Sequence, residues 1–300
     1  MRSRSFVTVL LLAAAILLPS LPAAASETAK PGKVRGAIVL ASFGSTVKEA
    51  RDKEAAFVRE TEKRYPNHRV VLANTARIVM NKNREQGVVI PSLFRVLADL
   101  ADEGHTHVAV QSLQLIPGSE FDGVAAIAKA QEGLPKGLGK ISVGFPLIAS
   151  NGDCAAVADA LIASLPKERK ASEPVIFVGH GTHHGFGCMV YPALQWHLGK
   201  RDAKIFVSTI EGSPERDDTF AALGKPGSGK PAVWVAPLLT LAGDHAINDL
   251  YGDADDSWKS VLSKQGWQVK NAFAPLLDIP GVRNVFFAHL DAALEKLQAK

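Results

Sequence analysis

The sequence predicts an α/β protein built from two similar domains, each a parallel sheet flanked by helices, with a cleft between them. Three observations carry this. Short continuous apolar runs alternate with segments of helical spacing, the pattern of parallel sheets covered on both faces. That alternation runs through the chain twice. Local stretches also match between the halves: "IVLASFGS" (38–45) has the form of "VIFVGHGT" (175–182), and "VAVQSLQLIPGSE" (108–120) that of "VWVAPLLTLAGDH" (233–245). These matches place Phe43 opposite His180 and Glu120 opposite His245, as expected of a duplicated unit.

In order, residues 37–41 read as a buried strand, followed by Val47, Ala50, Phe57, Val58, Thr61 and Tyr65 at helical spacing. Strands are expected at 70–72, 107–110 and 141–143, with helices at 90–102 and 155–165. The second half repeats the plan with strands at 175–178, 204–210 and 233–235, ending in a helix over 282–297. The expected division is 34–150 for the first domain and 151–300 for the second, with the last helix returning onto the first. Ligands of open α/β sheets bind beyond the carboxyl ends of the strands, so the loops there are where chemistry is sought.

Residues 1–25 are set apart. Arg2 and Arg4 precede an apolar run over 6–18, and Ala23-Ala24-Ala25 offers a small-residue cleavage site, the signature of a secretory signal peptide. The mature chain is expected to begin near Ser26, as an exported (periplasmic) protein with no membrane span after cleavage. The chain carries 34 Lys+Arg against 30 Asp+Glu, and two of those arginines lie in the leader. The remainder is nearly neutral, with no basic stripe interleaved with aromatics, so nucleic acid is not an expected partner. Cys154 and Cys188 are too few for a disulfide framework and are read either as one optional bridge or as two buried thiols. Composition leaves homo-oligomerisation open.

Residues 178–187, "VGHGTHHGFG", hold three histidines and four glycines after an apolar strand. His180 stands at the strand end between two glycines, whose missing side chains admit a bulky partner. His245 follows another apolar strand in "LAGDHAIND", and Glu211 ends the strand between them. A His, a Glu and a His at three strand ends suit an open divalent-metal site completed by water or substrate. Each also has a structural reading: a strand-end His that is simply hydrogen-bonded, a Glu211 that caps the next turn, an Asp244 that orients His245. His183 and His184 read as rim residues. His68, His105, His107, His197 and His289 read as surface or helix-edge positions, and residues 253–256, "DADD", as the cap of a helix starting near Trp258. Residues 224–230, "GKPGSGK", imitate a phosphate loop, but Pro231 stands where Ser or Thr would hold magnesium, so nucleotide use is not expected. No G-x-S-x-G elbow is present.

The segments "VLASFGST", "VAVQSLQLIPGSEFD", "FVGHGTHH", "STIEGSPE" and "PLLTLAGDHAINDLYGDADDSWK" together resemble the anaerobic sirohydrochlorin cobaltochelatases, ferrochelatase-like chelatases that work without ATP. The likeness spans about residues 35–298. It implies ATP-independent insertion of Co²⁺, or Fe²⁺, into sirohydrochlorin, with the metal held by His180, Glu211 and His245 and no further cofactor. His245 or Glu120 would take the pyrrole protons. Ser42, Phe43 and Ser45 would meet the macrocycle, and loop backbone N–H groups its carboxylates. Members of the family usually work where the tetrapyrrole is made, whereas this chain begins with an export signal. The alternative is therefore an exported protein that binds or carries haem, another tetrapyrrole or metal on the same fold.

Overall fold

In the computed structural model, residues 34–183, 185–241, 243–272 and 274–298 are described, with 244–247 described for their backbone only. The leader, His184 and the side chain of His245 lie outside the described residues.

The first half runs β1 (Gly36–Ser42), α1 (Lys48–Arg64), β2 (Arg69–Asn74), α2 (Arg77–Glu85), α3 (Leu93–Asp102), β3 (His107–Ser112), α4 (Ser119–Gln131) and β4 (Lys140–Gly144). From α5 (Asn151–Ala163) the chain continues through β5 (Val175–Thr182), α6 (Val190–Arg201), β6 (Ile205–Gly212), α7 (Arg216–Leu223) and β7 (Ala232–Pro237). It ends with α8 (Asp244–Tyr251), α9 (Trp258–Lys264), β8 (Gln268–Asn271) and α10 (Pro280–Gln298). Two four-stranded sheets result, ordered β2-β1-β3-β4 and β6-β5-β7-β8, and all strand pairs within them are parallel among the described residues. The second order is the first with four added to each strand number, so the duplication read from short sequence matches extends to the whole topology.

Register carries the repeat to single residues. Ile38 stands opposite Ala109 in the first sheet, and Val175 opposite Trp234 in the second. Those pairings put Gly44 and Gly181 in equivalent places, and both take left-handed backbone, φ 89° and 87°. Glycine is required at each for the same reason. A Cβ on Gly44 would come 2.8 Å from the Asn74 side chain, and one on Gly181 would run into the Glu211 carbonyl oxygen at 1.6 Å.

The central strands β1, β3, β5 and β7 are buried almost throughout. Edge strand β8, Gln268–Asn271, is polar and partly exposed, and gave no strand signal in the sequence. The helix expected from residue 90 starts instead at Leu93, because Pro91 precedes Ser92, whose hydroxyl accepts the Arg95 N–H as N-cap. Likewise α9 is capped by Ser257, which accepts the Ser260 N–H, and not by the "DADD" run. Asp253 and Asp255 instead pair with Lys259 and Lys264.

Val34–Lys300 forms one compact unit whose main core takes Ile38, Leu40 and Phe57 from the first half together with Phe177, Leu194 and Trp234 from the second. The last helix, α10, lies against β3, β4 and α5. Its Phe287 ring sits 5.2 Å from that of Phe57, and the Tyr65 hydroxyl donates to Asp291 at 2.6 Å. Two histidines read as surface or helix-edge positions are buried. His105 and His197 are each only 7% exposed, the latter bonded through Nε2 to Asn151. His289, expected on the apolar stripe of the last helix, sits on α10 between the Phe145 carbonyl and Asp153 of α5. For His197 and His289 polar partners supplied by distant segments make burial tolerable, and no local pattern foretells them.

Cys154 is buried on α5, Cys188 is half-buried with its thiol on the Gly185 carbonyl, and both are free.

Candidate active site at the carboxyl edge of the two sheets

The loops at the carboxyl ends of the two sheets meet crosswise. A Cβ on Gly243, before α8, would lie 3.4 Å from Ser45 Oγ in the loop after β1. In the mirrored contact, one on Gly187, after β5, would lie 3.2 Å from the Pro117 carbonyl in the loop after β3. The Thr240 hydroxyl adds a bond to the Leu113 carbonyl at 2.9 Å. The sequence-predicted residues all fall on this shared edge.

His180 is an exposed residue near the end of β5, and Glu211 an exposed residue near the end of β6. Glu211 stands opposite Gly181 in the register, one step beyond His180. Among the described residues no three His, Cys, Asp or Glu side chains gather as a ready metal cage. Residue 245 is the second residue of α8, whose N-cap is the extended Gly243. Glu120 is likewise the second residue of α4, after the extended Gly118. The opposition of Glu120 and His245 thus holds in the backbone. The Glu120 carboxylate is exposed and accepts from the Thr75 hydroxyl at 3.1 Å. His183 is exposed beyond β5.

The serines behave differently from expectation. Ser42 and Ser45 are 2% and 5% exposed, and their hydroxyls accept the N–H groups of Gly44 and Val47. Their oxygens hold the loop that presents Phe43, which is 45% exposed. This corrects the expectation that the hydroxyls face the ligand: a serine oxygen two residues before an N–H closes a local turn more readily than it reaches outward.

Sequence reasoning passed over Phe186, Met189 and Ile210, which stand 89%, 63% and 41% exposed at the same edge. With Phe43 they give the loops an apolar surface. The signal was there in Phe186, a large apolar residue between two loop glycines. A cavity of about 700 Å³ opens instead at the amino-terminal edge of the second sheet, among Lys204, Lys230, Lys270 and Trp267. Its volume does not mark the site, because none of the strand-end groups reaches it.

Behind the β1 loop, Glu54 on α1 is 1% exposed, and neither carboxylate oxygen has a well-formed hydrogen bond. Burial pushes its pKa up to about 7, outweighing the lowering influence of the Ser42 hydroxyl and Arg51.

A duplicated parallel α/β unit with apolar, imidazole and carboxylate groups on the shared strand-end loops defines the chelatase class of fold. Residues 36–295 match the family described as Cobalt chelatase (CbiK), and the chain belongs to that family. It is 33% identical over 260 residues to the sirohydrochlorin cobaltochelatase CbiKC of Nitratidesulfovibrio vulgaris, covering 87% of this chain and 91% of that one. The sirohydrochlorin cobaltochelatase of Salmonella typhimurium is 30% identical over 264 residues, covering 87% and 97%. Among solved structures, the sirohydrochlorin chelatase SirB of Bacillus subtilis in complex with cobalt superposes with a TM-score of 0.61, covering 88% of this chain and 97% of that one at 16% identity.

Proposed function

We propose that this chain inserts a divalent metal, Co²⁺ or Fe²⁺, into sirohydrochlorin without nucleotide. The observation that carries the reading is the asymmetry of the repeat. Equivalent strand-end positions hold Phe43 and Glu120 in one half, and His180 and His245 in the other, within a chain of the cobalt chelatase family. The histidine side would deliver the metal, with Glu211 adding a carboxylate. Nitrogen and oxygen donors of this kind hold first-row divalent ions yet can yield them to four ring nitrogens. The other side offers an aromatic face and an exposed carboxylate that can accept a pyrrole proton. Two N–H protons leave the macrocycle for each ion that enters, so charge balances without a redox step.

The test is to mix purified protein, sirohydrochlorin and Co²⁺ and follow absorbance against the spontaneous rate. Acceleration is expected, and adding ATP with magnesium should leave it unchanged. The look-alike at residues 224–230 supports this, since it follows helix α7 and leads into strand β7, the reverse of a phosphate loop's setting. A strict ATP requirement would reject the single-subunit reading. Tight tetrapyrrole binding with no acceleration would favour the binding or carrier role.

We also propose that the protein acts after export, on the strength of its basic start, apolar run and Ala23-Ala24-Ala25. Mass spectrometry of the periplasmic fraction is expected to find a mature terminus near Ser26. An intact Met1 terminus in cytosol would contradict export.

A further inference from the structure

We infer that Tyr191 is a positioning residue for His180, an inference that rests on reading His180 as the residue delivering the metal. Both chain neighbours of His180 are held by this one side chain. The Gly181 N–H donates to the Tyr191 hydroxyl at 3.1 Å, and the ring packs over Gly179 so closely that a Cβ there would lie 2.6 Å from Cε1. Tyr191 is 2% exposed, in the first turn of α6, and burial pushes its pKa up to about 12, so the phenol stays neutral across the working range.

The repeat supplies independent support. The register that equates Phe43 with His180 also equates Glu54 with Tyr191. The buried positions Ala50, Glu54, Phe57 and Thr61 correspond to Gly187, Tyr191, Leu194 and Leu198. Both halves therefore face the same left-handed glycine turn with a buried helix residue. Only the half that carries the imidazole uses a phenol bonded to the turn's backbone. In the other half, where the turn presents a phenyl ring, the Gly44 N–H is taken by its own neighbour, Ser42. A phenyl ring resting on a flat ligand tolerates rotation of its peptide, whereas an imidazole must aim one nitrogen at an ion. Fixing the peptide after His180 limits that error.

The test is Tyr191→Phe, which keeps the ring and removes the acceptor. Cobalt insertion at saturating sirohydrochlorin should fall about tenfold, the scale seen when a group that orients a metal ligand is lost. KM for the tetrapyrrole should stay within about twofold, because this contact lies off the binding face. In a His180→Ala background the same change should have almost no further effect on insertion, since a residue acting through His180 has nothing left to position. Should the phenylalanine variant fail to accumulate, Gly179→Ala presses on the same ring from the strand side and should give the same split. A parent-like rate in Tyr191→Phe, or an undiminished loss in the His180→Ala background, would overturn the inference. A parent-like rate in His180→Ala itself would instead overturn the metal-delivery reading.

Discussion

Replacing His180 or His245 by alanine is expected to cut the initial rate of cobalt insertion by at least about tenfold, the scale of losing a positioned ligand or base. His180 is exposed at the carboxyl end of β5, in a turn held by Gly181 and Tyr191. Residue 245 begins α8, in the loop whose Gly243 approaches Ser45 of the opposite half. His180 is exposed and stands outside the core, so loss of its imidazole should leave the fold intact. On the proposed reading sirohydrochlorin affinity should also survive, because the exposed Phe43, Phe186, Met189 and Ile210 and the loop backbones would share it. The expected signature is a fall in kcat with little change in KM, the mark of a group used in the reaction more than in binding.

Glu54→Gln is expected to change stability in a strongly pH-dependent way. A carboxyl whose pKa rises from 4.5 to about 7 on folding binds its proton more tightly in the native state than in the unfolded chain. Its contribution is therefore fully present below pH 4.5, is lost as pH climbs from there to about 7, and is flat above. A shift of this size corresponds to about 3 kcal/mol across that window. Glutamine cannot ionise, so the variant should gain stability relative to the parent by roughly that amount between pH 4.5 and pH 8. Urea unfolding of both proteins at the two pH values reads the difference directly. An equal offset at both would mean that Glu54 is already ionised, with a partner, in the native protein.

Much of this architecture was legible because the central strands are continuously apolar and the helices between them keep an apolar stripe. The repeat was legible from two pairs of segments, and the strand orders extend it to β8, a strand too polar to announce itself. The helices α2, α4, α6, α7 and α8 were not read from the sequence, α2 and α7 because they are short and rich in charged residues. At the site, sequence placed His180, Glu211, residue 245, Glu120 and Phe43 on one edge, since strand ends follow from strand positions. It could not see that the Ser42 and Ser45 hydroxyls turn inward, because those bonds depend on the loop's own dihedral angles. The contact of Tyr191 with the turn after His180 was hidden too, since nothing in the sequence pairs its hydroxyl with the Gly181 N–H.

The claim on which the rest depends is that His180 and His245 deliver the metal while the loop surface holds the macrocycle. The direct measurement pairs two readings on the parent, His180→Ala and His245→Ala proteins: sirohydrochlorin affinity by fluorescence quenching, and the initial rate of Co²⁺ insertion at saturating tetrapyrrole. The account predicts near-parent affinity with rates at least about tenfold lower in both variants. Insertion at the parent rate in both would place the metal elsewhere and leave these histidines a structural role.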